Sequence, residues 1–166
     1  KISLEIIIIF FIVILITSYV PTISESILSN GSADLGWAPA KCLFNSVNHY
    51  ESFLNNDGRC EVEMSHLGEY LQGYYVMLYP LTFLDWTTAK LFWFFLNILL
   101  IFLIPYLLCK KFQLNKISTF FIIFFSYYCI ITRVHLIMGQ QTIITLFFLT
   151  LPFIYKSKLS YILSGI

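Results

Sequence analysis

The stretch SADLGWAPAKCLF at positions 32–44 holds a carboxylate that could carry chemistry. It follows the first long apolar run after a short polar connection and sets Asp34 between small and aromatic residues, close to an expected membrane surface. Asp34 is therefore a candidate for the reactive group of an enzyme whose substrate sits in lipid. The alternative is structural: Ser32 caps a short helix, and Asp34 lies in its first turn, where the helix dipole favours a carboxylate.

The composition predicts that lipid is the solvent for most of the chain. Hydrophobic residues make up 58% of the 166 residues and charged residues only 11%, whereas a globular domain has about 25% charged residues. A net charge of +1 argues against a nucleic-acid-binding surface. Because the sequence starts at Lys1 and stops inside an apolar run, we expect it to be the N-terminal fragment of a longer membrane protein.

The apolar runs predict an all-α, polytopic membrane protein. A crossing of the hydrocarbon must be helical and needs about 20 apolar residues. We expect one membrane domain over 1–166, with spans at about 2–20, 86–109, 117–132 and 140–155 and a truncated span from 159. A cleaved signal peptide is the alternative for the first run, but no small-residue cleavage site follows Val20, so a retained helix is favoured.

The basic residues predict the orientation of these spans. Two short loops carry Lys110, Lys111, Lys116, Lys156 and Lys158. By the positive-inside rule these loops are cytoplasmic. The long loop 21–85 and the short turn around Arg133–Gln140 then face outward, into a periplasm or an equivalent lumen. We therefore expect a multi-pass protein of the plasma or inner membrane with its active face on the outer side.

The outer loop is predicted to carry interfacial helices. Apolar residues recur at helical spacing, which favours a short helix at the interface with its aromatics at headgroup level. These residues are Leu35, Ala38 and Cys42, with Trp37 and Phe44 alongside. Tyr74, Tyr75 and Tyr79 predict a belt of interfacial anchors, with ligand contact as the alternative. Cys42 and Cys60 both face the oxidising side, and the sequence allows either a disulfide between them or two free thiols.

Three motifs on this outer side resemble a known family. The first is an Asp…Ala…Lys-x-Leu…Asn-x-Tyr-Glu stretch just outside the first span, matched by Asp34, Ala38, Lys41, Leu43, Asn48, Tyr50 and Glu51. The second is the Tyr-Pro element in LYPLTFL, and the third is the Gly-Gln that opens MGQQTIITLFFLTLPFIYKSK. In order, spacing and membrane side they resemble glycosyltransferase family 87, the polyprenyl-phosphate-sugar mannosyltransferases of the GT-C superfamily, over most of the chain.

The resemblance implies a GT-C-like N-terminal helical module and a transferase activity. A hexose, expected to be mannose, passes with inversion from a polyprenyl phosphate donor to a lipid-linked or envelope glycan acceptor. Asp34 matches the acidic residue expected to act as general base. Membrane lipid, the donor and the acceptor are the implied partners, and no cofactor or metal is expected. We expect the fragment alone to be inactive.

The leaving phosphate needs hydrogen-bond donors or a cation. Arg133 suits this role through bidentate hydrogen bonds, with a snorkelling anchor as the alternative. His135 and Lys90 are further candidates, although a structural or snorkelling role is favoured for each. Gln140 matches the Gly-Gln element and Tyr79 the Tyr-Pro element, so both are candidates for contacts with the donor.

Two alternatives to this interpretation remain. Asp85 is the rival base, but helix capping at the start of the second span explains it. A non-enzymatic membrane transporter or assembly subunit with a partner-binding outer loop is the alternative function. A transporter is expected to place ionisable residues inside its spans, and the apolar cores of spans two to four contain none.

Overall fold

The computed structural model describes residues 4–28, 36–55, 58–60, 72–138 and 141–165. Within these residues every regular element is helical, so the predicted all-α fold class is confirmed. The elements are α1 Leu4–Leu28, α2 Trp37–Phe44, α3 His49–Asn55, α4 Gln72–Leu78, the 3₁₀ helix η1 Tyr79–Phe83, α5 Trp86–Lys111, α6 Lys116–Tyr128, α7 Ile130–Met138, α8 Thr142–Ile154 and α9 Lys158–Ser164.

Two helices in the described part of the chain are long and apolar enough to cross a membrane. They are α1, over Ile8–Glu25, and α5, over Trp86–Lys111. The helices α6 and α8 have 13 residues each, which gives a length of about 20 Å. That is shorter than the roughly 30 Å of hydrocarbon in a bilayer. The described residues therefore contain two helices that could span a membrane by length and composition, and two shorter apolar helices.

Helix α1 is longer than the sequence predicts. The predicted span ends at position 20 and the outer loop starts at 21, yet the helix continues through Pro21 to Leu28. Proline costs a helix one backbone donor, and this cost is offset because α1 packs along α7. Thr22 is buried there, with its hydroxyl donating to the Ser18 carbonyl at 3.4 Å. The loop therefore begins after the last turn of α1.

The predicted third span, 117–132, is broken into two helices. Cys129 separates α6 from α7 with a ψ of 127°, outside the helical region. In an unbroken helix the Tyr127 carbonyl would accept a hydrogen bond from the amide four residues later. It accepts one from the Tyr19 hydroxyl of α1 at 3.0 Å instead. The predicted turn around Arg133 is therefore wrong, because Arg133 lies inside α7, whereas residues 139–140 are outside the described residues.

Helix α5 is the centre of the helical bundle and packs against α1, α6, α7 and α8. Its buried face includes Ala89, Trp93, Phe94, Asn97, Leu100, Ile101 and Ile104. Tyr127 fastens α6 to this face, since its hydroxyl donates to the Ile98 carbonyl at 2.7 Å. Asp85 is the N-cap of α5, as the sequence predicts, and its carboxylate accepts from the Thr88 amide at 3.0 Å.

The described part of the segment between α1 and α5 forms a small packed unit, here called the loop module (residues 36–55, 58–60 and 72–85). Helix α2 is its core, because Trp37, Ala38, Ala40 and Cys42 are fully buried. Trp37 therefore packs inside the loop module, and Phe44 is the exposed aromatic residue of α2. Tyr75 is also buried, so it is no interfacial anchor, whereas Tyr79 is exposed.

A disulfide joins Cys42 of α2 to Cys60, with a Cα–Cα distance of 5.0 Å. The sequence allowed either a disulfide or two free thiols, and the structure contains the disulfide. Both cysteines are buried, and Cys109 and Cys129 are free. The bridge ties α2 to the chain beyond α3 and so holds the loop module together.

Candidate functional site

The N-terminal end of α2 is set by Gly36. Its φ of 70° is left-handed, which glycine adopts without steric cost. A Cβ at this position would lie 2.8 Å from the Tyr74 ring. Helix α2 consequently starts at Trp37 with Gly36 as N-cap. The predicted cap Ser32 and the predicted first-turn residue Asp34 lie outside the described residues.

Trp37 connects α2 to η1. Its indole Nε1 donates to the Leu81 carbonyl at 2.9 Å, and both side chains are buried. One turn later on the same face of α2, the Lys41 ammonium donates to the Thr82 carbonyl at 2.8 Å. The same ammonium lies 5.4 Å from the centre of the Trp37 ring. Two adjacent carbonyls of η1 are therefore bound by two side chains of α2.

Trp37 also connects the loop module to α5. Its ring centre lies 5.5 Å from that of Trp86, with an angle of 43° between the two planes. The Lys90 ammonium lies 5.4 Å from the Trp86 ring centre. The residues Trp37, Lys41, Trp86 and Lys90 form what we call the Lys–Trp cluster. It consists of two neighbouring indoles, each with an ammonium group held close to it.

The Lys–Trp cluster has the chemistry of an anion site. Two ammonium groups supply positive charge, and cation–π contact with tryptophan holds each of them in place. The Trp86 Nε1 is buried and has no hydrogen-bond partner among the described residues, so one N–H donor remains available there. Phosphate and carboxylate oxygens are the acceptors that such a donor set fits.

Asp85 borders this cluster but is occupied by helix capping. Its carboxylate accepts from the Thr88 amide at 3.0 Å and from the Thr88 hydroxyl at 2.7 Å. These hydrogen bonds stabilise the charged form and hold the pKa of Asp85 below its usual value. A base with a lowered pKa is weaker, so this environment does not favour Asp85 as the rival general base.

Arg133 lies on α7 and is half-buried. Its guanidinium carbon is 5.9 Å from the centre of the Tyr128 ring, across the break between α6 and α7. The Arg133 Nε is buried and has no hydrogen-bond partner among the described residues. Arg133 thus combines a fixed positive charge with one donor that an anion could use.

The other predicted site residues lie apart from the Lys–Trp cluster or outside the described residues. Asp34 and Gln140 lie outside the described residues, and His135 lies in α7 with its side chain outside them. Tyr79 is exposed, with its ring 4.2 Å from the Phe44 ring and 4.9 Å from the Phe83 ring. Tyr79, Lys90 and Arg133 do not share an aromatic neighbour among these contacts. Tyr79 lies beside Phe44 and Phe83, Lys90 beside Trp86, and Arg133 beside Tyr128. Within the described residues, no group of three metal-ligating side chains could hold a metal ion.

Asn97 is a buried polar residue that sequence reasoning missed. Its side chain is 2% exposed, and its Nδ2 donates to the Trp93 carbonyl at 2.8 Å. Its Oδ1 is buried with no hydrogen-bond partner among the described residues. Trp86, Lys90, Trp93 and Asn97 follow helical spacing and share one face of α5. A single amide in a long apolar helix was the available signal, because such residues serve as polar contacts between membrane helices.

No protein-family model matches this chain, and no curated protein or solved structure shows significant similarity to it.

Proposed function

We propose that this protein is a multi-pass membrane glycosyltransferase of the GT-C type. It transfers a hexose, expected to be mannose, from a polyprenyl phosphate to a lipid-linked or envelope glycan acceptor. Asp34 acts as the general base that removes the proton of the acceptor hydroxyl. The three outer-side motifs described above are the sequence basis of this proposal.

The observation that carries the proposal is the Lys–Trp cluster beside the segment of Asp34. Asp34 precedes Trp37 by three residues, so covalent geometry keeps their Cα atoms within about 11 Å of each other. A base and a group of phosphate-binding donors are thus confined to one region of the chain. Inverting transfer from a phosphate donor needs this pair, a base for the acceptor and positive charge for the leaving group.

Lys90 and Trp86 are the proposed contacts for the donor phosphate, together with Arg133 from α7. The α6–α7 segment packs along α5, because the Tyr127 hydroxyl donates to the Ile98 carbonyl and α7 also contacts α5. Lys90 lies in the second turn of α5, and Arg133 lies in α7, which packs against α5. A phosphate bound by both side chains would be stabilised by two positive charges.

A membrane location with the loop module on the outer side is supported by three features. The apolar face of α1 is exposed, including Ile9, Phe10, Val13, Ile16 and Val20. Five basic residues cluster where α5 meets α6 and where α8 meets α9, the side that the positive-inside rule assigns to the cytoplasm. Lys110 and Lys111 end α5, Lys116 begins α6, Lys156 follows α8 and Lys158 begins α9. The Cys42–Cys60 disulfide is in the loop module, and disulfides persist in oxidising compartments.

The decisive experiment replaces two carboxylates separately in the full-length protein. Membranes that contain Asp34→Asn or Asp85→Asn are supplied with radiolabelled polyprenyl-phosphate mannose, and label transfer to membrane glycolipid is measured. Loss of a general base lowers the rate by about 10²–10⁴-fold, so we expect this loss for Asp34→Asn. Asparagine is also a good N-cap, so Asp85→Asn should change the rate by less than a few-fold.

Two outcomes would overturn this assignment. Normal turnover of Asp34→Asn would exclude Asp34 as the base. A large loss with Asp85→Asn and none with Asp34→Asn would assign the role to Asp85. A Lys90→Met variant separates binding from chemistry, because loss of a phosphate contact should raise the KM for the donor.

A transporter or assembly subunit is the second candidate, and two observations favour it. Arg133 lies within a helix of the bundle rather than in an outer turn, and Asn97 places an amide in the middle of α5. Polar groups at such positions are typical of transport pathways. This function would be supported if the wild type showed no sugar transfer and Asn97→Leu impaired uptake or export across the membrane.

A further inference from the structure

Three aromatic side chains form an exposed ridge on the loop module. The ridge consists of Phe44 from α2 and of Tyr79 and Phe83 from η1. The Tyr79 ring contacts both of the others, with centroid distances of 4.2 Å to Phe44 and 4.9 Å to Phe83. The exposed fractions are 39% for Phe44, 41% for Tyr79 and 72% for Phe83. Val76 is also exposed and precedes Tyr79 by three residues, so it extends the apolar surface.

The ridge is not part of the core of the loop module. The opposite side of α4 and η1 is already packed, because Tyr75, Leu78 and Leu81 are buried there. The α4–η1 segment thus has two apolar sides, one facing α2 and the other facing outward. Contiguous apolar surface on the outside of a protein marks a site of interaction.

Position and chemistry indicate a lipid surface as the partner. Phe83 is followed after two residues by α5, a helix long and apolar enough to cross a membrane, and α5 itself exposes Phe92 and Phe95. Rings that combine a large apolar area with a hydroxyl group, as in Tyr79, concentrate at the boundary between headgroups and acyl chains. The Lys41 ammonium is bound to the carbonyl of Thr82, between Tyr79 and Phe83, where it suits a phosphate headgroup.

We propose that the Phe44–Tyr79–Phe83 ridge inserts into the headgroup–acyl boundary of the outer leaflet and holds the loop module down on the bilayer. This inference rests on the membrane location proposed above, and it is independent of the transferase activity. Insertion of the ridge keeps the Lys–Trp cluster at headgroup depth, because Trp37 and Lys41 are hydrogen-bonded to the same helix η1 that carries two ridge residues.

The test uses a photoreactive benzoylphenylalanine at single positions of the full-length protein. The variants are Phe83→benzoylphenylalanine, Tyr79→benzoylphenylalanine and the matched control Leu54→benzoylphenylalanine. Leu54 is 75% exposed on α3 of the same module and lies outside the ridge. Each variant is reconstituted into vesicles of phosphatidylethanolamine and phosphatidylglycerol and irradiated, and lipid adducts are measured by mass spectrometry. We expect several-fold more lipid adduct at Phe83 and Tyr79 than at Leu54.

A fourth probe, at Phe95 on the exposed face of α5, separates the possible failures. Labelling at Phe95 with none at Phe83 and Tyr79 would overturn the ridge proposal and leave the membrane location intact. No lipid adduct at any position would overturn the membrane location itself. Adducts from Phe83 to another polypeptide, in place of lipid, would show that the ridge is a protein interface and would also overturn the proposal.

Discussion

The indole Nε1 of Trp37 donates a 2.9 Å hydrogen bond to the carbonyl of Leu81, 44 positions later in the chain. Because Trp37 is fully buried and its ring also contacts Trp86, this single residue joins α2, η1 and the start of α5. The geometry of the Lys–Trp cluster depends on this connection. The bond therefore determines how the proposed donor site is assembled.

Trp37→Phe should destabilise the loop module by removing this hydrogen bond. The Leu81 carbonyl would keep only the hydrogen bond from the Leu84 amide, and the loss of one buried hydrogen bond costs about 0.5–1.5 kcal/mol. Equilibrium unfolding in mixed micelles should show a decrease of this size in the free energy of unfolding. Phe83→Ser is the matched control, since Phe83 is exposed, and it should change the stability little. Equal stabilities of Trp37→Phe and the wild type would contradict the role of this bond.

Reduction of the Cys42–Cys60 bridge should destabilise the protein by about 3 kcal/mol, as expected for a loop of this length. The sequence separation of the two cysteines is 18 residues. The double variant Cys42→Ser/Cys60→Ser should show the same loss without reductant, measured as a lower thermal midpoint. In the double variant Cys109→Ser/Cys129→Ser the sensitivity to reductant should persist. The bridge would be contradicted if reductant left the thermal midpoint of the wild type unchanged under conditions in which it can reach the buried cysteines.

The cap of α5 should weaken in acid. The hydrogen bonds from Thr88 lower the pKa of Asp85 below its ordinary value of 3.8, so the folded state favours the carboxylate more than the unfolded state does. The stabilisation is therefore present above the ordinary pKa and is lost as the pH falls through the folded-state pKa.

Stability measured against pH for the wild type and Asp85→Asn tests this expectation. The difference between the two should shrink as the solution becomes acidic, because asparagine does not titrate. Thr88→Val removes the hydroxyl donor and should move the pKa of Asp85 upward, which is measurable by carbon-detected NMR. A constant difference across the acid range would rule out capping by the ionised form.

Replacement of Asn97 by leucine should leave the bundle as stable as the wild type or more stable. The Asn97 Oδ1 is buried without a partner among the described residues, and leucine, which has the same branched skeleton, removes the cost of burying it. Asn97→Asp should instead be strongly destabilising, because it buries a charge. Resistance to unfolding by sodium dodecyl sulfate measures both. Marked destabilisation by Asn97→Leu would reveal that Oδ1 has a functional or structural partner.

Local signals explain which parts of the fold were predictable. The second span was predicted at 86–109 and forms a helix at Trp86–Lys111, and the capping role of Asp85 is confirmed. Both depend on residues that are close in sequence, namely an apolar run and a carboxylate three residues before the amide that it binds. The boundary errors at Pro21 and Cys129 have the opposite origin. There, packing on α7 extends one helix, and the Tyr19 hydroxyl stabilises a break in another.

In the candidate site, too, the features set by neighbouring residues were predictable and those set by distant contacts were not. Lys90 was recognised from the sequence, but Lys41 appeared only as a motif residue and Trp37 only as an interfacial aromatic. Their roles depend on bonds to Leu81 and Thr82, which are about 40 residues away. No periodicity or spacing within α2 reports such contacts. Asn97 is a neutral amide, and its burial and its bond to the Trp93 carbonyl are visible only in the folded structure.

The sequence alone determined that this chain is helical, that lipid-like surroundings suit its apolar runs, and where its charges divide between the two ends of the helices. These properties follow from the chemistry of residues and their near neighbours. The tertiary structure decided that α2 is buried, that Cys42 pairs with Cys60, and that two lysines and two tryptophans meet beside the start of α5. Such contacts join distant segments, and their free energy becomes available only when the chain is folded.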